Sequence, residues 1–359
     1  MSAALGLVIT PLVRRFAVKA KVLDVPNSPR RIHTTPIPLP GGLAIFLAFV
    51  IGQLVYMHFG HIDFSIIPKK YFITIILGGL TLIVGGVIDD KYNLPPKLLW
   101  IFPALASLIV VFSGLGADIK QISNPFGQPF NIAYTFHFLL FTFNLSSILI
   151  WLWMMGMIFT TKFLDGLDGL CAGISLIGGL TLFALSLTAH INQPITATLA
   201  IIFVGSLFGY LFFAFNPASI FLGEGGSTFL GFMLGVLSII LGGKIATALL
   251  VMGIPILDVA WVIIRRLWYR TSPFKADRKH LHFRLLDIGF SQRQTVLILW
   301  AISAIFGFVA VFLQTFGKLI ALLILFGVML ILALSSVIMY KRKHPHIEGI
   351  SPVDENPQV

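Results

Sequence analysis

One short polar stretch separates two strongly apolar segments near the middle of the chain. It reads Thr160-Thr161-Lys162-Phe163-Leu164-Asp165-Gly166-Leu167-Asp168-Gly169-Leu170. A charged side chain in hydrocarbon costs at least ~2.5–3.5 kcal/mol, so carboxylates at the end of an apolar segment are candidates for function. Asp165 and Asp168 are three residues apart, and on a helix they would share one face. The stretch predicts a polar site at a membrane surface, and the alternative is a loop that carries only topogenic charge.

The composition is that of a polytopic membrane protein. Hydrophobic residues make up 57% of the 359 residues and charged residues 11%, with a mean hydropathy of +0.95. Soluble chains are typically ~45–50% apolar and ~25% charged. The net charge of +11 raises nucleic acid as a partner, but the basic residues are distributed as membrane topology requires, so no nucleic-acid partner is predicted. The single cysteine, Cys171, cannot form an internal disulfide.

Eleven apolar runs are long enough, or nearly so, to cross the hydrocarbon core of a bilayer. They are residues 1–20, 41–59, 71–88, 98–116, 137–160, 169–189, 195–215, 227–242, 245–264, 295–315 and 319–340. Each is expected to be a helix, because a helix satisfies its backbone polar groups within lipid. The run 227–242 is short and rich in glycine, which predicts a helix packed inside the bundle. We therefore predict an all-α membrane protein with a transmembrane domain over 1–340 and a polar cytoplasmic tail over 341–359.

The basic residues predict the orientation of the chain. With the N-terminus outside and the C-terminus in the cytoplasm, all but five of the 25 lysines and arginines face the cytoplasm. The five on the outside are Lys69, Lys70, Lys120, Lys244 and Lys318. This orientation places five polar loops on the cytoplasmic side and leaves the segment 117–136 outside, as a small hairpin or turn.

The first two cytoplasmic loops carry basic and acidic candidates respectively. Arg30, Arg31 and His33 could hold a phosphate, although ordinary positive-inside charge is the simpler explanation. Asp89 and Asp90 end an apolar run, where adjacent carboxylates repel each other unless a cation or a basic partner intervenes. Such a pair could ligate Mg²⁺ or supply a general base, and the alternative is a solvated helix end.

The fourth loop surrounds Glu224 with glycine, so that a ligand can reach the carboxylate without meeting a neighbouring side chain. Ser227 is expected to cap the helix that follows, whose free N–H groups would favour a phosphate. The alternative is a flexible connector with one stray carboxylate.

The fifth loop is the longest and is basic. Its candidates are Arg278, Lys279, His280, His282 and Arg284. The two histidines do not predict zinc, because no cysteines lie at ligand spacing. The segment could lie on anionic lipid or close over a nucleotide diphosphate, and these two interpretations are compatible.

Taken together, the loops resemble the polyprenyl-phosphate N-acetylhexosamine-1-phosphate transferases of glycosyltransferase group 4, which are distantly similar to phospho-N-acetylmuramoyl-pentapeptide transferase. The resemblance covers nearly the whole chain, and its motifs occur in order. They are Asp24 to Gly42, Asp89-Asp90, Asp165-Gly166-Leu167-Asp168, Gly223-Glu224-Gly225-Gly226-Ser227 and His280-Leu281-His282. The resemblance implies transfer of N-acetylhexosamine 1-phosphate, with N-acetylglucosamine favoured, from a UDP-sugar to undecaprenyl phosphate. UMP would leave, and Mg²⁺ or Mn²⁺ would be the cofactor.

The resemblance also implies a role for each motif. Asp89 would act as a base for the lipid phosphate or orient it, Asp90 would support the metal, and Glu224 would be its principal ligand. Asp165 and Asp168 would shape the pocket for the nucleotide and the sugar phosphate. The basic loop would grip the diphosphate through Arg278, Lys279, His280, His282 and Arg284.

The chain departs from the family pattern at several positions. A third carboxylate that often follows the second acidic motif is absent after Asp90, and Phe283 replaces a histidine common in the sugar-phosphate branch. Two further departures concern the implied metal site. Relatives usually have asparagine at the position of Lys162 and aspartate at the position of Glu224. A lysine there would repel Mg²⁺ and could instead neutralise a phosphate. Because both residues lie at the implied metal site, they could also form a compensating pair.

The resemblance further implies a multi-pass protein of the cytoplasmic (inner) membrane, with its active site facing the cytoplasm and a role in starting cell-envelope glycan synthesis. Its partners would be the UDP-sugar, the polyprenyl phosphate and the bilayer, and a homodimer is left open. Two alternatives remain. One is a transporter or channel, although transporters tend to place ionisable groups near the midplane, where this chain has only Asp258. The other is a scaffold of the same fold that has lost catalysis.

Overall fold

The computed structural model describes residues 1–26, 35–117, 119–122, 124, 126–138, 141–268 and 280–343. Within these ranges the chain is mostly helical, as predicted. The helices are α1 Ser2–Ala20, α2 Gly41–Phe59, α3 Lys69–Tyr92, α4 Pro96–Leu99, α5 Ile101–Phe112, α6 Leu145–Leu164, α7 Leu170–Ser186, α8 Pro194–Ala214, α9 Gly223–Ile240, α10 Ile245–Val251, α11 Gly253–Trp268, α12 Leu281–Ile288, α13 Gln292–Phe312 and α14 Thr315–Lys343.

Three short antiparallel strand pairs interrupt the helices. They are β1 Leu23–Asp24 with β2 Ile37–Pro38, β3 Gln121–Ile122 with β4 Phe130–Asn131, and β5 Thr135–Phe138 with β6 Phe141–Asn144. The β3–β4 pair confirms the hairpin predicted within 117–136. Because residues 141–144 belong to β6, α6 begins at Leu145 and not near residue 137 as the hydropathy suggested.

Seven of the described helices are long and apolar enough to cross a membrane, or eight if α10 and α11 form one broken span. The prediction of eleven spans is therefore not confirmed. Helix α1 contains Arg14, Arg15 and Lys19, and the apolar helices α5 and α7, of 12 and 17 residues, are shorter than the ~20 residues that typically cross a bilayer. The run 245–264 is not continuous, because α10 and α11 meet at an angle of 82°.

Helix α9 lies at the centre of the bundle, as its glycine content predicted. In its apolar window 83% of the residues are buried, and it packs against α2, α3 and α6. A Cβ atom on Gly86 would overlap the backbone of Gly225, and one on Gly42 would overlap Gly226. Small residues let helix backbones approach closely in membranes. These contacts fix the beginning of α9 against the end of α3 and the beginning of α2.

Two local predictions about the polar loops were wrong. Asp165 and Asp168 do not share a helix face, because α6 ends at Leu164 and α7 begins at Leu170, so both lie in the connecting turn. Ser227 does not cap α9, because the helix already begins at Gly223. Its hydroxyl instead donates to the carbonyl oxygens of Gly223 and Glu224 within the helix.

Candidate active site

A cavity of about 710 Å³ lies at the end of the bundle where α3 and α6 end and α9 begins. Its wall contains six carboxylates, from Asp24, Asp89, Asp90, Asp165, Asp168 and Glu224. Lys162 is the one basic residue among the described residues of this wall. The structure thus brings together the acidic candidates of three separate loops and adds Asp24, which precedes them in the first loop motif.

Asp89 and Asp90 are adjacent in sequence but make different contacts. Asp90 Oδ1 accepts a hydrogen bond from the backbone N–H of Glu224, at 3.1 Å, in the first turn of α9. A carboxylate is stabilised at a helix N-terminus by the free N–H groups and the helix dipole. Asp89 Oδ1 instead accepts from the backbone N–H of Leu94, at 2.8 Å, and holds the turn that follows α3. Asp90 therefore links α3 to α9, whereas Asp89 stabilises the turn that directly follows α3.

Lys162 and Glu224 form an ion pair inside the cavity. The distance from Lys162 Nζ to Glu224 Oε1 is 2.5 Å, and the two side chains are 16% and 19% exposed. Lys162 lies in the last turn of α6 and Glu224 in the first turn of α9, so the pair joins two helix ends. The two departures from the family pattern at the implied metal site, Lys162 and Glu224, are therefore in direct contact.

Asp165 lies in the turn after α6, beside three other carboxylates. Desolvation by the surrounding protein, followed by the negative charges of Glu224, Asp90 and Asp168, raises the pKa of Asp165 to about 8. Such a shift arises because burial and like charges both disfavour the ionised form. A cation entering the cavity would relieve this repulsion and favour the carboxylate.

Asp168 is held by a network of hydrogen bonds that the motifs did not reveal. Its Oδ2 accepts from Asn216 Nδ2 at 2.9 Å and from the backbone N–H of Ala218 at 3.1 Å. Asn216 Nδ2 also donates to Gln292 Oε1 at 2.8 Å. Both amides line the cavity. Isolated amides are common in loops and gave no signal in the sequence, although Asn216 lies in the same short connection that leads to Glu224.

The two histidines predicted to grip a diphosphate are not among the residues that line the cavity. His280 Nδ1 is paired with Asp258 Oδ2 at 2.8 Å, and Asp258 Oδ1 accepts from the backbone N–H of Leu281. Asp258 is therefore occupied in anchoring α12 and is not a lone charge inside a continuous span. His282 is 2% exposed and stacks on His280, with ring centroids 5.6 Å apart.

The remaining substrate-binding candidates divide into two groups. Arg284 is half-buried on α12 and is not part of the described cavity wall, whereas its neighbour Phe283 is. Five basic residues lie outside the described part of the chain. They are Arg30, Arg31, His33, Arg278 and Lys279.

The donor set of the cavity is made of hard oxygen atoms. The described residues contain no group of three His, Cys, Asp or Glu side chains arranged to hold a metal ion by themselves. Mg²⁺ is usually bound by one or two carboxylates together with water and substrate phosphates, which requires no such cage. Asp90, Asp165 and Glu224 are among the described carboxylates of the wall that could serve an ion of this kind.

Comparisons with known proteins agree with this arrangement. The profile of glycosyl transferase family 4 matches residues 72–242. The chain is 32% identical over 326 residues to the "Probable undecaprenyl-phosphate N-acetylglucosaminyl 1-phosphate transferase" of Bacillus subtilis, covering 89% of this chain and 85% of that protein. It is 31% identical over 326 residues to the decaprenyl-phosphate N-acetylglucosaminephosphotransferase of Mycobacterium tuberculosis, covering 82% and 77%.

A third relative is more distant but aligns over a similar share of the chain. This is the undecaprenyl-phosphate alpha-N-acetylglucosaminyl 1-phosphate transferase of Thermotoga maritima, 27% identical over 305 residues, covering 85% of this chain and 86% of that protein. The region matched by the family profile includes the end of α3, the end of α6 and the beginning of α9, where the carboxylates of the cavity lie. The chain therefore belongs to glycosyl transferase family 4, the membrane-bound polyprenyl-phosphate N-acetylhexosamine-1-phosphate transferases, and is a phosphotransferase.

Proposed function

We propose that this protein transfers N-acetylglucosamine 1-phosphate from UDP-N-acetylglucosamine to undecaprenyl phosphate, and so starts the synthesis of a cell-envelope glycan. An oxygen of the lipid phosphate forms a bond to the phosphorus that carries the sugar, and the bond from that phosphorus to UMP breaks. The products are undecaprenyl-diphospho-N-acetylglucosamine and UMP. The relatives support the acceptor and the sugar, because their names specify polyprenyl phosphates and N-acetylglucosamine 1-phosphate.

The observation that carries the proposal is the acidic cavity at one end of the helix bundle. Two phosphate groups must approach each other in this reaction, and positioning together with charge neutralisation supplies most of the catalysis in phosphoryl transfer. Asp165 and Asp168 lie in one turn, where they can orient the donor. Asp89, at the end of α3, is the carboxylate we assign to the lipid phosphate, which it would orient or deprotonate. The same gathering at one end argues against a transporter.

We further propose that Mg²⁺, or Mn²⁺ in its place, is the cofactor, and that Asp90 and Glu224 would hold it. The bound ion would neutralise charge on the diphosphate and polarise its phosphorus–oxygen bond. Asp90 accepts a hydrogen bond from the Glu224 backbone N–H, which holds the Asp90 carboxylate at the first turn of α9, where Glu224 lies. We place the site at the cytoplasmic face of the inner membrane, where a nucleotide sugar is available.

The test is transfer by the purified full-length protein in detergent, with undecaprenyl phosphate, MgCl₂ and UDP-N-acetylglucosamine labelled with ³²P on the β-phosphate and ³H in the sugar. We expect both labels to enter the lipid fraction in equal amounts, only with the metal present, and to leave it when excess UMP is added. Asp90→Asn should abolish the transfer. Asp63→Asn, a change in an exposed loop carboxylate, is the matched control and should leave it intact.

Two results would contradict the proposal. Entry of the sugar label without the phosphate label would show transfer of the sugar alone. An absence of lipid labelling with every UDP-N-acetylhexosamine, with Mg²⁺ and with Mn²⁺, would favour a scaffold that has lost catalysis.

A further inference from the structure

The described lining of the cavity is strongly unbalanced in charge. Six carboxylates line it, and Lys162 is the one basic side chain among its described lining residues. Carboxylates packed this closely repel one another, and the repulsion is strongest where water is excluded. Any cation that enters, whether a free ion or a side chain, therefore stabilises the folded cavity.

Lys162 already occupies part of this acidic environment. Its ammonium group lies 2.5 Å from Glu224 Oε1, and both side chains are largely buried. The pair is held by the ends of two packed helices, α6 and α9. A charge-assisted hydrogen bond in such a place is stronger than one between exposed groups. The charge of Glu224 is thus compensated by the ammonium group of Lys162.

A divalent cation and the ammonium group compete for the same carboxylate. If the ion binds Glu224, the Lys162 ammonium must move away and lose its partner. If Lys162 stays, the ion must rely on the remaining carboxylates. In either case the lysine weakens divalent-cation binding, because affinity for such ions depends on the number of charged ligands.

We propose that Lys162 is a built-in counter-cation that stabilises the metal-free cavity and withholds Glu224 from the divalent cation. The inference rests on the proposed function, because it concerns the cation site assigned there. Its consequence is a protein with weak divalent-cation affinity that remains folded when the ion is absent.

Direct Mn²⁺ binding to the purified full-length protein, measured by electron paramagnetic resonance without substrates, tests the inference independently of catalysis. Lys162→Met keeps most of the length of the side chain and removes its charge. We expect it to bind Mn²⁺ about tenfold more tightly than the unaltered protein, a change of the size seen when groups around a metal site are altered. We also expect its melting temperature to be lower without the ion and to rise more steeply with MnCl₂.

A double-mutant cycle separates masking of Glu224 from a general effect of charge. If Lys162 acts by withholding Glu224, the gain from Lys162→Met should be largely lost in the Glu224→Gln background. A gain of equal size in both backgrounds would overturn the inference. Lys91→Met, which removes an exposed lysine near the end of α3, is the matched control and should leave the affinity unchanged.

Two more variants keep the test decisive if Lys162→Met folds poorly. Lys162→Gln should give a smaller gain in Mn²⁺ affinity, and Lys162→Arg, which keeps the charge, should give none. Equal affinity in the unaltered protein and every uncharged variant would contradict the inference. Mn²⁺ binding to none of the proteins would reject both the inference and the proposed cation site, whereas the double-label assay would still decide on transfer.

Discussion

His282 is a buried polar residue, 2% exposed. Its Nε2 atom is buried, has no hydrogen-bond partner among the described residues, and faces Gly166, where a Cβ atom would overlap it. Burial lowers the pKa of His282 to about 4, while the charge of Asp258 opposes the shift and that of His280 adds to it. The ring is therefore neutral at pH 7. It packs against the turn that carries Asp165 and Asp168, at Gly166, and so supports that turn from one side.

The lowered pKa predicts an acid-sensitive fold. Above pH 6.5 the ring is neutral in both the folded and the unfolded chain, so protonation of His282 does not lower the free energy of unfolding there. As the pH falls from 6.5 through about 4, the unfolded chain binds a proton that the folded chain excludes, and this free energy decreases. Melting temperatures measured from pH 8 to pH 4 should fall less steeply in His282→Gln than in the unaltered protein.

The control for this prediction is His190→Gln, which changes an exposed histidine between α7 and α8. This variant should show the same decrease in melting temperature between pH 6.5 and pH 4 as the unaltered protein. If His282→Gln also showed that same decrease, the His282 ring would not resist protonation in the folded protein.

At the scale of secondary structure, the close approach of α3 and α9 places the acidic groups. The backbone of Gly86 meets that of Gly225, one residue from Glu224 and a short distance before Asp89 and Asp90. Any side chain at Gly86 would push the two helices apart and would move these carboxylates relative to one another.

Gly86→Ala should therefore destabilise the protein and impair the site together. Overpacking typically costs about 1–3 kcal/mol, and the obstruction here is backbone, which cannot turn aside as a side chain can. We expect a lower melting temperature and weaker Mn²⁺ binding. Gly156→Ala in α6 is the matched control, since no atom lies within 4 Å of the added methyl group. It should be neutral or slightly stabilising, and equal effects of the two changes would exclude close packing as the reason for Gly86.

The N-terminus of α12 depends on one carboxylate. Asp258 accepts hydrogen bonds from His280 Nδ1 and from the backbone N–H of Leu281, both at 2.8 Å. Removing a buried partner leaves these donors unsatisfied, which costs about 1–3 kcal/mol. Asp258→Ala should lower the melting temperature and speed hydrogen exchange at the amides of α12. Asp258→Asn, which keeps one acceptor, should show a smaller effect, and unchanged exchange in Asp258→Ala would mean that the anchor is unimportant.

At the scale of the whole molecule, the acidic cavity and the β3–β4 hairpin belong to opposite ends of the bundle in the predicted topology. The native cysteine, Cys171, is 1% exposed, so added cysteines can report the two sides of the membrane. A membrane-impermeant maleimide should label Gln128→Cys in intact cells. It should label Lys97→Cys only after the membrane is opened. Both positions are exposed, and the reverse pattern would invert the proposed orientation.

The sequence by itself determined the class of the molecule, its helical character and the acidic motifs. These properties depend on short stretches of residues or on sums over the composition of the chain. Hydropathy and glycine content are read from short windows, and they predicted the buried position of α9 correctly. They did not predict the number of spans, because hydropathy alone does not register the bend between α10 and α11 or the short length of α5 and α7.

Only the tertiary structure decided which side chains meet. Asp90 contacts the Glu224 backbone across 134 residues of sequence, and Asn216 reaches Asp168 across 48. The same packing turned His280 toward Asp258 and away from the cavity, and it brought Lys162 to Glu224. The physical reason is that the direction of a side chain at a helix end depends on how the helices pack against each other, and no local pattern of residues encodes that geometry.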